Sequence, residues 1–134
     1  MNAERLESVL RRASSMAPPE ILAVYLYGSQ ARKTATSRSD VDLAILYAEA
    51  PPATLEGLPL DLEADLERVL GRPVEIVVLN RAPVDLIHRV LRDGVLLLDR
   101  DAPRRIRFEV KARNEFFDLQ PVLARYRAAR PSAR

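Results

Sequence analysis

The chain of 134 residues contains no cysteine, no tryptophan and a single histidine. Disulfides, thiolate nucleophiles and thiolate zinc sites are thereby excluded, as is any cluster of histidines. A metal, if one is used, must sit on oxygen ligands. Glycine is scarce, with 4 residues against 10 prolines. No run approaches the roughly 18 apolar residues that span a bilayer, and the opening residues are charged where a leader would be basic and then apolar. A cytoplasmic location with no membrane partner is expected. The 48% of hydrophobic and 30% of charged residues fit a folded domain and not a disordered or fibrous chain. The length fits a single domain over residues 1–134 with a core of its own. Set against 19 acidic side chains, the 21 basic ones leave a net charge of +2, too mild to call for direct nucleic-acid binding. Basic residues nevertheless prevail beyond residue 99, which makes the C-terminal third a basic surface: solvated, RNA-binding or docking.

Apolar positions Leu6, Val9, Leu10, Ala13 and Met16 recur at helical spacing and predict a helix over 2–16, stopped by Pro18 and Pro19. Short apolar runs rich in β-branched residues predict strands at 21–27, 41–47, 74–79 and 95–98. Helices are expected at 60–70 and 83–93, each followed by a glycine, and from about 102 to 129, with a break or kink at Pro121. Residues 30–38 read as a turn or two of helix and a basic loop, and 48–59 as a proline-rich connection. His88, with no second histidine or cysteine, reads as structural, and Phe108, Phe116 and Phe117 as core or interface.

One stretch carries chemistry. Gly28 and Ser29 close the first strand abruptly, and a glycine there lets the backbone turn sharply and approach another group, a corner suited to phosphate. Asp40 and Asp42 stand two residues apart at the start of the next strand, so their carboxylates leave the same face ~7 Å apart. Two like charges so placed call for a cation, and Mg²⁺ takes carboxylate, phosphate and water oxygens. Glu75 is the odd residue in an apolar strand. It either completes an acidic metal site or pairs with an arginine such as Arg72 or Arg81. Two ions held by three acids would clamp an in-line displacement at phosphorus, which is nucleotidyl transfer. Arg32, Lys33 and Arg38 in the loop are either solvated or placed where cations would neutralise a triphosphate.

Gly28-Ser29, ten intervening residues and Asp40-Val41-Asp42 together resemble the signature of the DNA polymerase β-like nucleotidyltransferase superfamily, and the chain resembles its minimal nucleotidyltransferase (MNT) antitoxins over most of its length. The resemblance implies an α/β fold with a short mixed sheet and flanking helices. It implies Asp40, Asp42 and Glu75 as catalytic ligands of two Mg²⁺ ions, with Gly28, Ser29, Arg32 and Ser39 on the nucleotide. It also implies transfer of AMP from ATP to a tyrosine of a cognate HEPN ribonuclease toxin, in a hetero-oligomer with that partner. Alternatives are nucleotidyl transfer to a small hydroxylated molecule such as an aminoglycoside, and neutralisation of a partner by contact alone.

Overall fold

Asn2 starts the first helix by accepting a hydrogen bond on its side-chain oxygen from the Arg5 N–H at 2.8 Å. Helix α1 (Ala3–Ser15) then buries Leu6 and Leu10. The structure is a computed structural model that describes residues 2–31, 40–52 and 59–129, except the side chain of Leu123. Strands β1 (Ile21–Tyr27) and β2 (Val41–Tyr47) have the predicted bounds. Helix α2 (Gly28–Ala31) springs directly from β1, and the rest of the expected basic loop lies outside the described residues. Helix α3 (Leu60–Leu70) ends at Gly71, whose φ of 69° is left-handed.

Strand β3 (Val74–Val78) stops one residue short of expectation because Leu79–Arg81 form a 3-10 turn. There the Asn80 side chain accepts from the Tyr47 N–H at 2.8 Å and donates to the Tyr47 carbonyl at 3.0 Å, standing in for a strand neighbour. Helix α4 (Val84–Asp93), strand β4 (Val95–Asp99) and helix α5 (Ala102–Ala129) complete the chain. Of the break or kink expected at Pro121, the break is absent: α5 runs through it as one element. Proline costs a helix one hydrogen bond and crowds the carbonyl a turn earlier. On the exposed distal part of α5 no packed neighbour among the described residues resists that local adjustment. No described helix is long and apolar enough to cross a membrane.

The sheet is mixed, in the order β3-β2-β1-β4, with β1 antiparallel to both β2 and β4 and β2 parallel to β3. Strand alternation sorts its side chains between two cores. Val24, Leu26, Val41, Leu43, Ile45, Val74 and Ile76 pack on the face covered by α1 and α3. Tyr25, Ala44, Leu46, Ile87 and Val90 pack on the face covered by α4 and α5. Leu22 and Ala23 both belong to the second core, and the register shifts there, between Ile21 and Ala23. Such a bulge resets the alternation for the rest of β1. The exposed edge of β3 is covered from α3: Glu63 accepts from the Ile76 N–H at 2.9 Å and Glu67 from the Val74 N–H at 3.1 Å.

Two arginines of the basic C-terminal third are committed to this framework. The Arg100 guanidinium donates to the carbonyls of Pro18, Ile21 and Ala17, tying the end of α1 to the sheet. Arg105 pairs with Asp99 at 3.0 Å and with Glu109 at 2.9 Å, and buried Glu109 accepts from the Tyr25 hydroxyl at 2.7 Å. This network pins α5 to β1. Glu109→Ala therefore leaves the Tyr25 hydroxyl without its acceptor and Arg105 half paired. The expected cost is about 3 kcal/mol, read as a lowered urea midpoint with an unchanged slope.

Candidate active site

Register brings three polar side chains into one row. Tyr27 pairs with Asp42 across the antiparallel β1/β2 ladder, and Asp42 pairs with Glu75 across the parallel β2/β3 ladder. Paired residues share a face. Tyr27 and Val77 belong to the core under α4 and α5, so the row opens on that side of the sheet. At the end of β1 the chain turns through Gly28 at φ 73°. A Cβ at that position would stand 2.5 Å from Asp42 Oδ2 and 3.3 Å from its Cγ. The carboxylate thus occupies the space that any side chain at residue 28 would need.

The row faces a cleft of about 470 Å³ lined by Tyr27, Gly28, Ser29, Asp42, Glu75, Val77, Leu86, Arg89 and Asp93. Helix α4 forms one wall. Leu86, Arg89 and Asp93 follow i, i+3, i+7 spacing and face the cleft, while Ile87 and Val90 of the same helix are buried in the core. Gly94 holds the end of α4 close to β1, since a Cβ there would collide with the Val90 carbonyl oxygen and stand 3.3 Å from that of Leu26. His88 is structural: its ring stacks on Phe116 at 3.7 Å with 3° between planes, binding α4 to α5. Phe108 is partly buried against the core, whereas Phe117 is 57% exposed, which removes the core reading for it and leaves the interface one.

Gly28, Ser29, Asp42 and Glu75 come together in this cleft. Asp40 does not line it; it is exposed, one residue before β2. Arg32 and Ser39, like Lys33 and Arg38, lie outside the described residues. Glu75 is exposed, not the buried charge its apolar strand implies, because the row ends at the open mouth of the cleft. No ion pair of Glu75 occurs among the described residues, and the Arg81 guanidinium reaches the carbonyls of Pro51 and Pro52. Sequence reasoning missed Tyr27, Arg89 and Asp93. The spacing of Leu86, Arg89 and Asp93 was visible, but it is also that of any solvated helix face.

Burial pushes the Tyr27 phenol up to about 12, helped by the charges of Asp42 and Glu75 and opposed by Arg89. It therefore stays a neutral hydrogen-bonding group at physiological pH. The cleft is suited to a polyanion only with cations present, since three carboxylates face one guanidinium among its lining residues. No three acidic or histidine groups among the described residues form a ready-made metal cage. The fit is of another kind: Mg²⁺ is commonly bound by one or two carboxylates, with phosphate oxygens and water completing its shell. Asp42 and Glu75, adjacent and facing a corner that only glycine allows, are such a donor pair.

A glycine corner set against a strand carboxylate in a cleft is an arrangement that chemistry on a phosphate group can use. Residues 6–103 match the family described as polymerase beta, nucleotidyltransferase, and the chain belongs to that family. No functionally curated protein matches it. Among solved structures, a candidate minimal nucleotidyltransferase is 33% identical, with a TM-score of 0.56, over 71% of this chain and 95% of its own. A chain of a toxin–antitoxin complex with AMP-PNP is 26% identical, with a TM-score of 0.69, over 90% of this chain and 91% of its own. A complex of a tri-AMPylated HEPN toxin with an MNT antitoxin from Shewanella oneidensis contains a chain of the same fold, with a TM-score of 0.69 and 23% identity over 89% of this chain and 90% of its own. The fold is that of the polymerase β-like nucleotidyltransferases.

Two outcomes follow from this geometry. Gly28→Ala forces a side chain into the Asp42 carboxylate at a left-handed φ, and is expected to lower stability by about 1–3 kcal/mol and weaken nucleotide binding, both measurable by ligand-shifted thermal melts. The second concerns alkaline pH. Below about pH 10 folded and unfolded chains both keep the tyrosine proton. From there up to about 12 the unfolded chain releases it first, so stability falls as pH rises through that window. Tyr25 and Tyr47, also raised by burial, act in the same direction. Melting temperatures should decline above about pH 10, and Asp42→Asn should move the Tyr27 absorbance titration to lower pH.

Proposed function

We propose that this chain is a Mg²⁺-dependent nucleotidyltransferase antitoxin that transfers AMP from ATP to a tyrosine hydroxyl of a cognate HEPN toxin, acting in a hetero-oligomer with it. The described elements are taken as one minimal nucleotidyltransferase domain. The observation that carries the activity is the seating of the Asp42 carboxylate on the Gly28 corner, beside Glu75, in a cleft large enough for a nucleotide's phosphates. The antitoxin role is supported by 26% identity over nine tenths of the chain to a component of a toxin–antitoxin complex with AMP-PNP.

In this reading Asp40, Asp42 and Glu75 are the catalytic carboxylates that hold the metal, and Gly28, Ser29, Arg32 and Ser39 contact the nucleotide. Mg²⁺, when bound, supplies charge neutralisation at the phosphates and acidifies the attacking hydroxyl. The acceptor oxygen forms a bond to the α-phosphorus, the bond from that phosphorus to the β-phosphate oxygen breaks, and pyrophosphate leaves. In this reading Glu75, which lines the cleft, serves with the metal to activate the attacking hydroxyl and takes up its proton. Gly28 brings the backbone close to the reacting phosphate without a side chain in the way. Exposed Ile106, Val110 and Phe117, which helical spacing puts on one side of α5, give it an apolar surface on which a protein substrate would rest.

The test is identification of the neighbouring gene's product and, where it is a HEPN protein, its incubation with this chain, ATP and Mg²⁺, followed by intact-mass analysis of the partner. Whole AMP increments on a tyrosine are expected, and Asp42→Asn should slow their appearance by a hundredfold or more, on the order of 3 kcal/mol. A partner that binds, is neutralised and stays unmodified would instead establish neutralisation by contact alone.

A further inference from the structure

The cleft contains a cation that the carboxylate chemistry does not account for. Arg89 sits in the middle of the cleft-facing stripe of α4, one helical turn from Asp93. Asp93 is already engaged by its neighbour, since Arg92 Nε and Nη2 donate to its two oxygens at 3.0 and 2.8 Å. Arg89 makes no ion pair with any described residue. An exposed arginine without a partner is ordinarily a solubilising charge. This one lines a walled cleft beside the glycine corner, on a helix whose end is locked to β1 by the tight packing of Gly94.

We infer that Arg89 is a phosphate-binding residue: its guanidinium grips the phosphates that leave as pyrophosphate, from the helical wall of the cleft whose strand wall carries Asp42 and Glu75. This rests on the nucleotidyl-transfer reading and deepens it by assigning the subsite of the leaving group. The reacting phosphate belongs at the Gly28 corner, where backbone and carboxylate approach most closely. The remaining phosphates carry most of the charge and gain more as the bond to the α-phosphorus breaks. Among the described residues lining the cleft, Arg89 is the cation available to them. A guanidinium binds phosphate oxygens through two parallel N–H donors and holds its charge at every relevant pH, so it stabilises the departing anion without exchanging a proton. Its fixed position on a helix makes that stabilisation preorganised.

The test compares wild type, Arg89→Ala and Arg89→Lys by calorimetric titration in Mg²⁺ with a non-hydrolysable ATP analogue, pyrophosphate and AMP. Arg89→Ala should weaken the analogue and pyrophosphate by about tenfold or more while AMP, which lacks those phosphates, binds as to wild type. Arg89→Lys should recover part of the loss, because charge remains and the two-pronged geometry does not. Unchanged binding of the analogue by Arg89→Ala overturns the assignment, and so does an equal loss for AMP, which would put Arg89 on the nucleoside side. If folded wild type binds neither the analogue nor pyrophosphate, the nucleotidyl-transfer reading itself falls; if wild type binds them and Arg89→Ala binds them equally well, that reading stands and the subsite alone is lost.

Discussion

The site depends on one close approach, between the backbone at Gly28 and the carboxylate of Asp42. Two constraints meet there. Residue 28 turns the chain out of a buried strand at a positive φ, and the space where its side chain would project is filled by a charged group from the neighbouring strand. Any other residue would be strained by the dihedral and would displace the acid. The register of β1 on β2 sets the opposition of Tyr27 and Asp42, and the parallel pairing of β2 with β3 adds Glu75 to the same row. A slip of one residue would turn Asp42 to the other face, among Val41, Leu43 and Ile45, where a carboxylate would have no partner. The hydrophobic alternation that stabilises the sheet therefore also keeps the acids in the cleft.

The helical wall is held with comparable care. Helix α4 is fixed at its end by Gly94, along its buried face by Ile87 and Val90, and on its outer side by the stacking of His88 on Phe116. Helix α5 is in turn tied to β1 by Tyr25, Glu109 and Arg105, two residues along the strand from Tyr27. The side chains that make the C-terminal third basic are thus partly structural: Arg100 and Arg105 act on backbone carbonyls and buried carboxylates. This leaves less free positive surface than the composition implies, and it places the cation of most interest, Arg89, on α4, outside that basic third.

Much of the fold was legible because short apolar runs separated by glycine and proline leave few choices of element. β1, β2 and α3 match their predicted bounds. Misreadings had local causes. Leu79 continues the alternation of β3 in sequence, but Asn80 draws the chain into a turn by bonding Tyr47. Pro121 carries a strong breaking signal, yet a helix without packed neighbours tolerates one missing bond. Glu75 looked buried because its neighbours in the sequence are apolar, whereas its exposure depends on where the sheet ends and the cleft opens.

By itself the sequence determined which chemistry is possible: the absence of cysteine left oxygen ligands alone, and Gly28-Ser29 with Asp40-Val41-Asp42 marked the corner and the acids, since backbone freedom and carboxylate spacing along a strand are local properties. Only the tertiary structure decided which of those groups meet. It set Asp42 against Gly28, joined Glu75 to it across a parallel ladder, left Asp40 outside the lining, and brought Arg89 from a helix far along the chain. Such contacts between distant segments follow from strand order and helix packing, which no local spacing encodes.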